Sequence, residues 1–194
     1  MTTTAVAPRF ALAVPTSWVR IPVDDAVASE RAVRGLARRL TWSRPDRDRV
    51  RPLVTGLLTD AVADRRNPAT VEVHLALGRE PARPLGCALT IDLVPPRPGL
   101  DDPLAVQTAF LATAGAGGTA EVARLTGRPV PRTVRRRSAP LPDGTALDSA
   151  VVQYLLPNAG GGFALLSFAT PQVGRLDPLC RLFDAVAGSF RWSP

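Results

Sequence analysis

Between Thr119 and Thr170 four extended segments follow one another with little but turn residues between them, and no other feature of the chain constrains its fold as strongly. The segments Thr119 to Leu125, Thr133 to Ser138, Asp148 to Leu156 and Phe163 to Thr170 are separated by stretches containing Gly127, Pro140 to Gly144, and Asn158 to Gly162. Such short connections make antiparallel neighbours, because a parallel crossover needs about a dozen residues or more. A β-meander is predicted. After it the period changes: Leu176, Leu179, Cys180, Phe183, Val186, Ala187 and Phe190 form a helical stripe, with Asp177-Pro178 at its start and Gly188 near its end. A striped helix after a meander has to bury its apolar face on the sheet, which makes the fold class α+β: a curved antiparallel sheet flanked by helices.

The first half supplies the remaining elements. Phe10 to Val14 and Trp18 to Pro22 read as two short strands around the Pro15-Thr16-Ser17 turn. From Asp24 the pattern is helical, with Val27, Val33, Leu36, Ala37 and Leu40 on one face and Asp24 or Asp25 as the cap. A second stripe from Val50 to Val62 predicts another helix, ended by Asn67-Pro68, and the two form an antiparallel hairpin. Val71 to Leu77 alternates, Leu85 to Val94 is a longer apolar run suited to an inner strand, and a hairpin through Arg79 to Pro84 joins them. Asp101-Asp102-Pro103 opens a helix to about Ala114, closed by Ala116-Gly117-Gly118. The whole reads as one domain over residues 1–194, with 1–8 a flexible N-terminus and 24–68 a helical-pair insertion.

The chain is long enough to bury roughly two-thirds of its unfolded surface without metal or disulfide. Its apolar content of 45% and charged content of 21% are those of a globular protein. Cys87 and Cys180 sit among leucines, where a thiol serves as a small core hydrophobe. No apolar run reaches the roughly 18 residues of a membrane span, and Met1-Thr2-Thr3-Thr4-Ala5-Val6 has neither a charged start nor an apolar signal core. Cytoplasmic residence is the expectation.

Motif-based chemistry finds little to work with. His74 is the sole histidine, so any Ser-His-Asp or Cys-His arrangement depends on it. It shares a strand face with Glu72, which could orient it as a base, although the plainer expectation is that both face solvent or a helix edge. Two separated cysteines and one histidine cannot make the usual zinc site. Asp24, Asp25, Asp101 and Asp102 could assemble a carboxylate site, but acids at helix starts are explained by capping. Asn158 to Gly162 lacks the lysine and the following helix of a phosphate loop, and is expected to be a hairpin tip. No cofactor, no metal and no enzymatic role are predicted.

The run Phe10-Ala11-Leu12-Ala13-Val14-Pro15-Thr16-Ser17-Trp18 resembles the start of PsbP-like domains, where a strand meets a proline turn and then a tryptophan on the next strand. The closing Phe183-Asp184-Ala185-Val186-Ala187-Gly188-Ser189-Phe190, after a meander, is similar to the end of the same family, including its LpqN-type envelope lipoprotein branch. The resemblance covers roughly the first 20 and last 45 residues. It implies an α/β/α sandwich serving as a non-enzymatic binding or assembly platform. The helical pair after the second strand departs from the family pattern, and the LpqN-type lipobox cysteine and leader are lacking, so envelope localisation is not expected.

All 24 cationic side chains are arginine, a composition that reflects a GC-rich genome, and the net charge is +7. The densest stretch holds Arg124, Arg128, Arg132, Arg135, Arg136 and Arg137, and the first helix adds Arg31, Arg34, Arg38 and Arg39. Such a surface could hold an acidic protein, nucleic-acid phosphates or an anionic membrane. Single-strand binding also calls for exposed stacking aromatics, whereas Tyr154 and most phenylalanines fall in core-like patterns. The expected function is therefore an accessory or assembly component that engages an acidic partner through Arg132, Arg135, Arg136, Arg137, Arg34 and Arg38. A small-molecule-binding domain or enzyme with a sheet-helix pocket, using His74 and Glu72, is the alternative, and nucleic-acid binding the third.

Overall fold

The period-two segments become strands. In the computed structural model, which describes residues 10–23, 25–39, 69–80, 83–96, 98–100, 102–140 and 146–193, nine strands are seen. They are β1 (Phe10–Ala11), β2 (Val19–Ile21), β3 (Thr70–Glu80), β4 (Arg83–Val94), β5 (Gly118–Leu125), β6 (Arg128–Pro140), β7 (Ala146–Pro157), β8 (Phe163–Thr170) and β9 (Arg191–Trp192). Seven of them form an antiparallel sheet in the order β2-β3-β4-β8-β7-β6-β5, while β1 and β9 pair in a ribbon of their own. The expected meander is intact as β5 to β8. The apolar run of β4 is indeed an inner strand, held by β3 on one side and by β8 on the other through Ala88↔Ala169 to Val94↔Phe163.

The β5–β6 turn sets which peptide groups face outward. Thr126 and Gly127 both have positive φ, 48° and 81°, as a two-residue primed turn requires. The flanking pair Leu125↔Arg128 then exchanges both of its backbone hydrogen bonds, and alternate residues of β5 bond to β6. Ala120, Val122 and Arg124 consequently direct their peptide groups away from β6. Pro129 and Pro131 fall at β6 positions whose missing N–H would point toward β7, and pairing with β7 begins only at Arg132↔Tyr154. The prolines thus leave the β5 ladder whole.

Among the described residues three α-helices cover the two faces: α1 (Ala26–Arg39), α2 (Pro103–Ala112) and α3 (Leu176–Ser189). On one face α3 sets Phe183, Val186 and Ala187 against Leu89, Ile91, Val152, Leu166 and Phe168. Phe168 stacks on Phe183 at 4.5 Å and meets the edges of Tyr154 and Trp18 at 5.6 and 6.2 Å. Each such ring contributes about 1.5–3 kcal/mol through burial, and each pairing about 0.5–1.5 kcal/mol more. On the other face α1 packs Leu36 on Ile21, Val73 and Leu75, and α2 lies toward β5, β6 and β7. The result is an α/β/α sandwich.

The caps follow the sequence reading in part. Asp25 Oδ1 accepts from Val27 and Ala28 N–H at 2.8 and 3.1 Å, and Asp102 Oδ1 accepts from Leu104 N–H at 2.9 Å. Asp24 and Asp101 lie outside the described residues, as do residues 1–9 and the second helix expected within 40–68. No helix among the described residues is long and apolar enough to cross a membrane.

Candidate functional site

Strand alternation decides where the arginine-rich stretch goes. On β6, Arg132 and Arg136 face α3, whereas Arg135 and Arg137 face the side of α2. The four do not converge. Arg34 and Arg38 lie on α1, over the opposite end of the sheet from β6, and their side chains are outside the described ones.

Several arginines are occupied by the chain itself. Arg132 Nη1 donates to both Asp184 oxygens at 2.8 and 2.9 Å, and its Nε and Nη2 donate to Glu121 Oε1. Tyr154, wholly buried, donates to Asp184 Oδ1 at 2.7 Å. This bidentate, partly buried network ties α3 to three strands. Burial alone pulls the Arg132 guanidinium toward neutrality, but the hydrogen bonds of Glu121 and Asp184 more than reverse this and hold its pKa above the usual value. Arg135 donates to Gln153 Oε1 and, at 3.4 Å, to Thr113 O just beyond α2. Arg128 and Arg191 donate to carbonyls at the C-terminal end of α3, Phe190 O at 3.1 Å and Gly188 O at 2.7 Å respectively, where a cation favours the helix dipole. Arg20 pairs with Glu72 at 2.7 Å.

What remains is a cleft between α3 and the β5–β6 edge, with a volume near 420 Å³. Gly117 to Thr119, Val134 and Arg136 form its sheet side, and Leu176, Asp177, Cys180 and Arg181 its helix side. Arg136 and Arg181 are exposed and, among the described residues, form no hydrogen bond or ion pair. Sequence reasoning found Arg136 but missed Arg181. The available signal was helical spacing: Asp177, Arg181 and Asp184 recur at intervals of four and three, flanking the apolar stripe.

The other candidates resolve differently. His74 is buried rather than facing solvent, because α3-face residues of β4 lie opposite it; its Nε2 is 2.9 Å from Glu72 Oε2. The pairing with the carboxylate exists, yet His74 Nδ1 is buried with no hydrogen-bond partner, so among the described residues no hydroxyl or thiol is hydrogen-bonded to it. Cys87 is buried, and burial pushes its thiol up to about 12. Cys180 is half-buried and raised by burial too, with Arg132 partly opposing. No cluster of metal-ligating side chains occurs among the described residues. Asn158 to Gly162 is a hairpin tip, closed by Asn158 N–H to Gly162 O at 3.0 Å.

No protein-family model matches the chain, and no curated protein matches it by sequence. Solved structures do. LpqN, a protein involved in cell envelope biogenesis of Mycobacterium tuberculosis, aligns over 99% of this chain and 87% of its own, with 15% identity and a TM-score of 0.52. The fold is PsbP-like. A cyanobacterial PsbP from Synechocystis sp. PCC 6803 aligns over 100% of this chain and 97% of its own, at 14% identity and a TM-score of 0.48. Within this PsbP-like sandwich the α3–β5–β6 cleft holds two cationic side chains, Arg136 and Arg181, that remain uncommitted among the described residues.

Proposed function

We propose that this chain is a non-catalytic accessory or assembly domain that holds an acidic protein partner at the cleft between α3 and the β5–β6 edge. The observation that carries the reading is the pair Arg136 and Arg181, uncommitted beside a network in which Arg132, Glu121 and Asp184 satisfy one another. A guanidinium with free donors is suited to a carboxylate arriving from outside. Two facts weigh against nucleic acid: the arginines of β6 are divided between faces, and Tyr154, Phe168, Phe183 and Phe190 are wholly buried, leaving no platform of these rings for bases. A small-molecule reading draws support from the cleft volume, which falls in the range of ligand sites.

The test is a partner search over envelope as well as cytoplasmic fractions, since LpqN is involved in cell envelope biogenesis. The identified partner is then purified and titrated. Binding is expected to weaken with salt and to fall about tenfold or more in an Arg136→Ser/Arg181→Ser variant. Isolation as a clean monomer at low salt, or full affinity in the double variant, overturns the reading.

A further inference from the structure

We propose that the partner docks as an extended acidic segment that adds to the sheet alongside β5. This rests on the acidic-partner reading and specifies its mode.

β5 is the last strand of the sheet, paired only with β6 among the described residues, and Thr119 to Val122 and Arg124 are exposed along it. The turn geometry turns the peptide groups of Ala120, Val122 and Arg124 outward, whereas the corresponding Gly118 N–H is already taken by Gly115 O at 3.3 Å. A row of outward N–H and C=O groups flanking an exposed Val122 (47%) is the template on which an extended peptide adds by main-chain hydrogen bonding. Natural edges are usually protected by proline or a bulge; here the prolines, Pro129 and Pro131, lie one strand inward, and the β5–β6 register runs without a shift.

Charge selects the occupant. Along this edge Arg124 lies on the strand, while Arg136 and Arg181 line the adjoining cleft; all three lack internal partners among the described residues. Glu121 is neutralised by Arg132, leaving Asp177, among the described residues, as the one uncommitted acid lining the cleft. Side chains of an added strand alternate between faces. Acids on one of its faces would reach the cleft, and those on the other would reach Arg124. A second copy of this chain would instead bring Arg124 against a basic edge.

The probe is a ten-residue peptide of alternating glutamate and valine, with a lysine-valine peptide as control, titrated against the intact protein while amide exchange is followed. The glutamate peptide is expected to bind at least tenfold more tightly and to slow exchange at Ala120, Val122 and Arg124. Val122→Pro removes an outward N–H without touching the β6 ladder and is expected to reduce affinity about tenfold at unchanged melting temperature. Binding without protection at those amides, no preference for the acidic peptide, or self-association through β5 overturns the proposal. Loss of the natural partner on Arg136→Ser/Arg181→Ser but not on Val122→Pro would sink strand addition while leaving the acidic-partner reading standing. Insensitivity to both removes both.

Discussion

Tyr154 on β7 donates its hydroxyl to Asp184 Oδ1 on α3 at 2.7 Å, and the same carboxylate receives both hydrogen bonds from Arg132 Nη1. One acid thus joins the helix to two strands at the inner end of the cleft. The packing of Phe183 onto Phe168 sets the height of α3 over the sheet, and this network fixes its rotation, since hydrogen bonds are directional where apolar contact is not.

Asp184→Ala should therefore destabilise the protein by about 1–3 kcal/mol, because it leaves Arg132 and a buried phenol short of an acceptor. Tyr154→Phe should cost about 1 kcal/mol alone and much less when Asp184 is already gone. A double-mutant cycle by urea denaturation measures the coupling; simple additivity would show that the contact is energetically idle.

Tyr154 is the sole tyrosine, so its ionisation can be read without interference from another phenol. Burial first, and then Asp184, raise its pKa above the ordinary value, against a smaller opposing effect of Arg132. A raised folded pKa stabilises the native state below the unfolded pKa of about 10, and that stability declines as pH rises above it. The native protein should show no tyrosinate absorption at pH values where the urea-unfolded chain is fully ionised. Coincident native and unfolded titrations would contradict the burial.

The thiols should separate kinetically. Cys180 is half-buried and Cys87 buried with its pKa pushed up to about 12, so a thiol reagent at neutral pH should label Cys180 slowly and Cys87 only on unfolding. Peptide mapping after timed labelling checks this, and equal rates would refute it.

Gly162 should tolerate no side chain. Its φ is +74°, and a Cβ would lie 2.3 Å from Val94 O, a backbone atom that cannot step aside. Gly162→Ala is expected to lose more than about 2 kcal/mol, whereas Gly127→Ala, with φ +81° and open space, should lose only about 1 kcal/mol. Thermal melts of the pair compare the two, and equal losses would show that the contact with Val94 is not what matters.

The meander, the inner strand β4, the α2 cap at Asp102 and the stripe of α3 were legible because they rest on local periodicity and turn chemistry, which neighbouring residues carry between them. β9 and its pairing with β1 were not, since two-residue strands have no period, and Phe10↔Trp192 joins opposite ends of the chain. The same division holds at the site. Composition and spacing determined that this chain is arginine-rich and has an α+β fold. Which arginines are left for a partner was decided only by tertiary structure: alternation along β6 sent Arg132 and Arg135 to opposite faces, and the seating of α3 placed Asp184 within reach of Arg132 but left Arg136 and Arg181 uncommitted. A charge is available for binding only when no nearer counter-charge has claimed it, and nearness across 52 residues of chain is a property of packing rather than of sequence.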